Sequence, residues 1–416
     1  MIVESKEEIQ EFLNRWNRET STVIPVWVDL DKHPLNNRIS FLYVQFSDDW
    51  YVLPFEHNDC KSIEIDLSTS TQRKLVWNKK GLLQTNINIQ NIWDIYTQRY
   101  FYHNEIIDFD DVFSHLRGFY YGNGIRNNVG SIIPIMKWIE VLGNFCDSID
   151  FEINHNWIDT EMIPILSKVE QQGLRVDRDR FIQKWRNGNK NVIGDIVYTE
   201  YNPYAMTSRP SNRHGGVNFS ALPKKDGTRS IFIPREGKQF LHFDYSAYHV
   251  SIIAKLIGYK LPTHQSPHVW LAGQYACTVD EGKKRTFKII YGGISDEDKK
   301  IPFFKETDDF IQDFYKTAET LGYFSTPKGR IINMVWIPDN NPYKCFSYLL
   351  QAMETELNMD VLVKLDKQGL PLPNLYTYDS FLFEVDKNFP MADVMSVLES
   401  NGFRINPTYG TDYDKV

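Results

Sequence analysis

FLHFDYSAYHVSIIAKLIG, residues 240–258, is an apolar strand that ends on an acid and runs straight into a helix. The acid is Asp244. A second acid, Asp379, lies in the turn of another strand pair, LYTYDSFLFEV, residues 375–385. A carboxylate on an otherwise apolar strand is costly unless it is paired or holds a cation, so two of them point to a divalent-metal site. Asp244 taken alone reads first as the cap of the helix that follows it.

Working outward, the pattern is that of a mixed α/β (α+β) chain. Val23–Phe55 contains VIPVWVDLD, RISFLYVQF and WYVLPF, three β-rich runs separated by Asn, Asp and Pro turn signals. Helical periodicity follows at Ser131–Phe145 and at Asp159–Gln172, where Met162, Ile163, Ile165, Leu166 and Val169 share a face before the Gly173 stop. That second helix is expected to open a new domain. A polar stretch centred on RNGNKN occupies 175–204, and KKRTFKIIYGG predicts a helix ending at a glycine pair.

The 416 residues are 42% hydrophobic and 24% charged, which excludes disorder as the main state. No apolar run reaches the roughly 18 residues a membrane helix needs, and the acidic start, MIVESKEEIQEF, is unlike a signal peptide. Cys60, Cys146, Cys277 and Cys345 form no CxxC pair, so a reducing, cytoplasmic setting (a host's, for a viral chain) with ordinary buried cysteines is expected. The net charge of −8 conceals a local basic excess. Residues 171–300 carry 21 Lys and Arg against 12 Asp and Glu, enough for a groove that holds a phosphate backbone.

Taken in order over about 155–416, the motifs resemble the DNA polymerase I-like (family A) DNA polymerases, in a compact, phage-like form. FDYSAYHVSIIAKL is similar to the family's first palm motif, YTYDSFLFEV to its third, and KKRTFKIIYGG to its fingers motif. NWIDTEMIPILSKVEQQGLRVD resembles the helix leading out of the exonuclease domain, while LGYFSTPKGRIIN and SYLLQAMETELNMDVL resemble segments between fingers and third motif. The resemblance implies a palm with an antiparallel sheet and helical fingers. It implies that Asp244 and Asp379 are the catalytic metal ligands, that the Tyr245 carbonyl joins them, and that two Mg²⁺ ions (Mn²⁺ in their place) are the cofactors. In-line phosphoryl transfer needs such a pair of cations about 3.5–4 Å apart, hence carboxylates from two distant strands.

For the nucleotide, the resemblance implies Arg285, Lys288 and Tyr291 on the fingers helix, with Lys283, Phe287 and Tyr291 as an alternative register. It adds His268 near the phosphates, Lys225 as a phosphate position and Arg229 as a packing one. Arg209, in TSRPSNRHGGVNFSALP, and Gln351 are the implied DNA contacts. The position that in the family carries a glutamate excluding the ribose 2′-hydroxyl is His249, so ribonucleotides are expected to enter more readily than with a glutamate there. The third motif reads Tyr378-Asp379-Ser380, without the acid that usually follows.

Residues 1–152 resemble a 3′–5′ exonuclease domain of RNase H-like type, with Asp29 and Asp31 at its metal pair. Asn78 stands where a further aspartate is expected, and the last exonuclease motif is not found, so this domain reads as inactive. Asp94 reads as a helix cap. Residues 153–416 then form the polymerase domain, its thumb reduced to about 174–203. The expected activity is template-directed addition of dNTPs to a primer 3′ end in DNA replication, with primer-template DNA, dNTPs and a processivity or replisome protein as partners and no membrane. A polymerase that accepts ribonucleotides and a silent DNA-binding accessory protein are the alternatives.

Overall fold

The computed structural model describes residues 1–29, 32–103, 129–149, 153–185, 191–212, 217–224 and 226–416. They fall into two units. The first comprises Met1–Gly173, Ile182–Glu200 and Arg213–Val217. Its sheet contains the three expected strands, β1 (Ser21–Trp27), β2 (Ile39–Gln45) and β3 (Trp50–Pro54), joined by β4 (Lys74–Val76) and β5 (Ile92–Asp94). The order is β3-β2-β1-β4-β5, with the β1, β2 and β3 pairings antiparallel and those to β4 and β5 parallel. β1 and β2 are buried almost throughout, so both faces of the sheet are covered and the sequence shows continuous apolar runs. One cover is the helix Lys6–Trp16. Its Ser5/Glu8 capping box satisfies the first N–H groups, and its Phe12 and Trp16 pack into the core with Val23, Leu42 and Val44.

The helix expected at Ser131–Phe145 is split into Val129–Ile132 and Ile135–Asp147, because Pro134 cannot continue the first piece. The one expected at Asp159–Gln172 starts as a π turn, Ile158–Met162, and continues as Ile163–Glu170, with Pro164 at its first turn. This helix belongs to the first unit, which runs to Gly173 and takes in Ile182–Glu200, where the sequence reading drew the boundary after 152. Its acids hold it there. Asp159 accepts from the Lys79 ammonium at 2.8 Å and Glu170 from that of Lys80 at 2.5 Å, both carboxylates being fully buried.

Asp94 is a cap, as expected: its Oδ1 accepts the Thr97 N–H at 2.9 Å just inside the helix Ile95–His103, and its Oδ2 accepts that of Lys79. Burial and the charge of Asp159 push its carboxyl up to about 6. Within the expected thumb remnant, the described residues form the helix Arg178–Lys184 and a hairpin of Val192–Ile193 with Ile196–Val197. Cys146 and Cys345 are buried, while Cys60 and Cys277 are only half-buried.

The second unit comprises Leu174–Phe181, Tyr201–Asn212 and Asn218–Val416. A four-stranded antiparallel sheet runs Leu375–Thr377, Ser380–Val385, Gln239–Tyr245, Ile405–Gly410. Around it lie the helices Tyr248–Ile257, Pro267–Tyr275, Val279–Gly292, Pro302–Leu321 and the 26-residue Pro342–Lys367. Among the described residues no helix is long and apolar enough to cross a membrane.

The Lys79–Asp159 pair supplies the first prediction. Lys79→Met leaves the Asp159 carboxylate buried without its cation and is expected to cost about 3 kcal/mol. Lys79→Met/Asp159→Asn should recover much of that loss. Urea unfolding followed by tryptophan fluorescence measures both; a single variant as stable as the parent would show that the pair does not hold the helix.

Candidate active site

The sheet register brings the two acids together. Asp244 is paired with Ser380 on one neighbouring strand and Asn406 on the other, and Asp379 immediately precedes Ser380. Tyr378 adopts a left-handed backbone, φ 57°, which lets the chain reverse between Thr377 and Ser380. The turn is fixed from three sides: Asn358 Nδ2 donates to the Tyr378 carbonyl at 2.6 Å, the Arg209 guanidinium lies 3.6 Å over the Tyr378 ring, and the Tyr245 N–H donates to the Asp379 carbonyl.

Asp244 and Asp379 line an open cleft of about 420 Å³ with Arg209, Lys224, Tyr245, His249, His268, Lys283, Phe287, Tyr291 and Glu354. Burial first, then the charge of Asp379, pushes the Asp244 carboxyl up to about 6 against the opposing pull of Lys224 and Lys283. The Asp379 carboxyl is also raised, by burial and the charge of Glu354. Two acids with raised carboxyls side by side are suited to share cations, and carboxylate oxygens are the ligands Mg²⁺ and Mn²⁺ prefer. Among the described residues no third His, Cys, Asp or Glu completes a metal cluster with them.

The opposite wall is the helix Val279–Gly292, begun by a Thr278/Glu281 capping box. It packs closely on Pro267–Tyr275 because position 282 is glycine: a Cβ there would lie 2.9 Å from that of Ala272. Lys283, Phe287 and Tyr291, four residues apart, form one stripe facing the cleft, with the Phe287 and Tyr291 rings nearly parallel at 6.2 Å. Of the two registers left by the sequence, this is the one whose residues line the cleft. Arg285 instead pairs with Asp298 and lies over the Tyr275 ring, and Lys288 is exposed outside the cleft. His268 sits beside Phe287, and burial together with Lys283 lowers its imidazole to about 4.

The remaining sequence candidates are dispersed. Gln351 donates to Ser347 and does not line the cleft. Lys225 and Asp31 lie outside the described residues; Lys224, next to the former, does line the cleft. Arg229 donates to the Leu222 carbonyl and lies over the Tyr413 ring, a packing position. Asp29 faces Lys32 at 3.6 Å, and Asn78, at φ 53°, spends its side chain capping the short helix Lys79–Leu82.

Glu354 was missed. It is fully buried, yet its Oε2 lies 2.8 Å from Arg209 Nε and its Oε1 3.4 Å from His249 Nε2. Burial alone would raise its carboxyl, but His249 and Arg209 together hold it below the ordinary value. The signal was present in the sequence: Ser347, Leu350, Glu354, Asn358, Val361 and Leu365 fall on one helical stripe, so an acid stands where the period demands a buried residue.

No family model and no curated protein matches the chain. A solved structure does: the POL domain of Pol1 from M. smegmatis, in complex with DNA primer-template and dNTP, superposes with a TM-score of 0.71 at 14% identity, over 100% of both chains. At that identity the likeness is one of fold, and the chain has the fold of that polymerase domain.

Proposed function

We propose that the chain is a template-directed DNA polymerase that adds dNTPs to a primer 3′ end, acting in DNA replication. The observation that carries this reading is the meeting of Asp244 and Asp379 at a cleft walled by Lys283, Lys224 and Arg209, on a fold shared with a domain bound to primer-template and dNTP. Asp244 and Asp379, with the Tyr245 carbonyl, would hold two Mg²⁺ or Mn²⁺ ions. Bound there, such ions activate the 3′-hydroxyl and neutralise charge on the triphosphate. Lys283 draws the triphosphate into the cleft, and Tyr291 and Phe287 offer the incoming base a flat apolar wall. Arg209 and Lys224 supply phosphate and groove contacts on the opposite side.

The first unit is proposed to be an RNase H-like, exonuclease-type domain without nuclease activity. Its mixed sheet supports the fold, and the occupation of its polar groups supports the inactivity. Asn78 caps a helix, Asp94 is committed to two N–H groups, and the Lys79 ammonium sits against Asp159 where a cation would otherwise be drawn. A 5′-labelled single strand incubated with the protein and Mn²⁺ without nucleotides should stay full length; shortening that vanishes on Asp29→Ala refutes the assignment.

Primer extension tests the polymerase reading. Asp244→Asn and Asp379→Asn should each lower single-nucleotide addition by at least about a hundredfold, because a lost ligand charge removes transition-state stabilisation. Lys283→Ala should chiefly raise KM for the dNTP and exceed the effect of Lys288→Ala. Extension at parental rate by Asp379→Asn would end the proposal.

The acid pair also makes a pH-dependent contribution to stability. The Asp244 carboxyl titrates at about 6 in the folded protein and near 3.8 unfolded, so between these values the folded state binds the extra proton. Stability of the metal-free protein from this group therefore falls as pH rises from about 4 to 6. Asp244→Asn should raise the metal-free Tm at pH 7, and Mn²⁺ should raise the parent's Tm but not the variant's. Thermal melts with and without Mn²⁺ check this; an equal Mn²⁺ effect in both proteins contradicts it.

A further inference from the structure

A continuous string of polar contacts crosses the cleft lining. It begins at the Tyr291 hydroxyl on the helix Val279–Gly292, which is hydrogen-bonded to His249 Nδ1 on the helix Tyr248–Ile257. His249 turns its Nε2 toward Glu354 on the helix Pro342–Lys367. Glu354 is held by Arg209 through both Nε and Nη2, and the Arg209 guanidinium lies over Tyr378, beside Asp379. Three helices, the Arg209 segment and the Tyr378 turn are thereby linked in sequence along the cleft.

Burying a carboxylate completely is expensive, and Glu354 lies in the buried stripe of its helix. Its charge is balanced by Arg209, so it is not free to serve as another cation ligand beside Asp244 and Asp379. What it touches on its other side is His249, and His249 in turn touches Tyr291. Glu354 Oε1 lies 3.4 Å from the imidazole Nε2, and the Nδ1 on the other side of the ring is directed at the tyrosine hydroxyl.

We propose that Glu354 is a positioning residue for sugar selection: through His249 it locks Tyr291, so that the cleft admits a deoxyribose and turns away the 2′-hydroxyl of a ribose. The inference rests on the polymerase reading above. An apolar pocket by itself discriminates poorly against a substrate that merely adds a hydroxyl. Rejection needs a wall that neither yields nor offers a hydrogen bond. The Tyr291 hydroxyl spends one hydrogen bond on His249, and the buried ion pair behind it holds the ring in place. A glutamate at position 249 would face Glu354 with like charge.

The test is single-nucleotide primer extension by the full chain in Mg²⁺, with kcat and KM measured for dATP and ATP. Glu354→Gln keeps the shape and removes the charge; the preference for dATP should fall about tenfold, read as a lower KM for ATP. Tyr291→Phe should give a similar loss, and Glu354→Gln/Tyr291→Phe no further one, because both act on one contact. His249→Gln breaks the link while leaving the Glu354–Arg209 pair intact, so it reports on the string even where Glu354→Gln fails to fold, and it should lose the same preference. An unchanged preference in His249→Gln or in folded Glu354→Gln, or losses that simply add in the double variant, would overturn the assignment. Loss of Mn²⁺-induced stabilisation in Glu354→Gln would also overturn it, placing Glu354 among the cation ligands. Failure of the parent to extend with either nucleotide would instead count against the polymerase reading itself.

Discussion

The pairing of Asp244 with Ser380 is the constraint on which the second unit depends. In the strand Gln239–Tyr245, Leu241, Phe243 and Tyr245 are buried while His242 and Asp244 alternate with them, so the register decides which face carries the acid. A slip of one residue would send Asp244 into the face packed with Phe381, Phe383 and Phe403 and would separate it from Asp379. The aromatic packing on one face and the charge pair on the other are thus set by the same hydrogen bonds. Tyr245 shows this coupling directly: its ring stacks on Tyr248, its hydroxyl donates to the Leu398 carbonyl, and its N–H donates to the carbonyl of Asp379.

Asp159 and Glu170 in the first unit and the acid pair of the cleft in the second are balanced in opposite ways. In the first, Asp159 and Glu170 are each closed by a lysine of the same short helix, and the lysine stems are buried with them. The desolvation cost is offset internally, which leaves nothing to attract an external cation. In the second, Asp244 and Asp379 face an open cleft, and Lys224 and Lys283 only moderate the repulsion between them. On the proposed function that pair would take up cations from solution, whereas the closed pairs hold the helix Ile163–Glu170 in place.

Much of this was legible in the chain. The three strands of 23–55 and the strand-to-helix junction at Asp244 follow from short-range apolar patterning, and they form within a few residues of the expected bounds. Less legible were features set by packing between distant segments. The helix Val279–Gly292 could be read in two registers, because spacing along one helix says which residues share a face but not which face meets the cleft; the close approach at Gly282 decides that. Glu354 was passed over because an acid within a buried stripe is interpretable only when its partners, Arg209 and His249, are known, and they lie far away in sequence. That the first compact unit runs to Gly173 was hidden for a similar reason, since Lys79 and Lys80 gave no sign that their partners lay some eighty to ninety residues downstream.

Backbone strain is also present at the site, as at Asn78, Asn91, Ala276 and Asp339 elsewhere. Ser208, Ala247 and Tyr378 all adopt left-handed conformations, at φ 55°, 50° and 57°, although none is glycine. Each such residue costs of order 1–2 kcal/mol. Ser208 precedes Arg209, Ala247 begins the helix that carries His249, and Tyr378 precedes Asp379. A glycine at these positions would relieve the strain but loosen the chain, and the neighbouring side chain would then lose its fixed direction. The aromatic ring of Tyr378 is also the surface on which Arg209 rests, so this strained residue cannot be exchanged for glycine without freeing the guanidinium that balances Glu354. Strain at three turns and one buried ion pair therefore form a single arrangement: the turns aim the side chains, and the ion pair keeps the turns from relaxing.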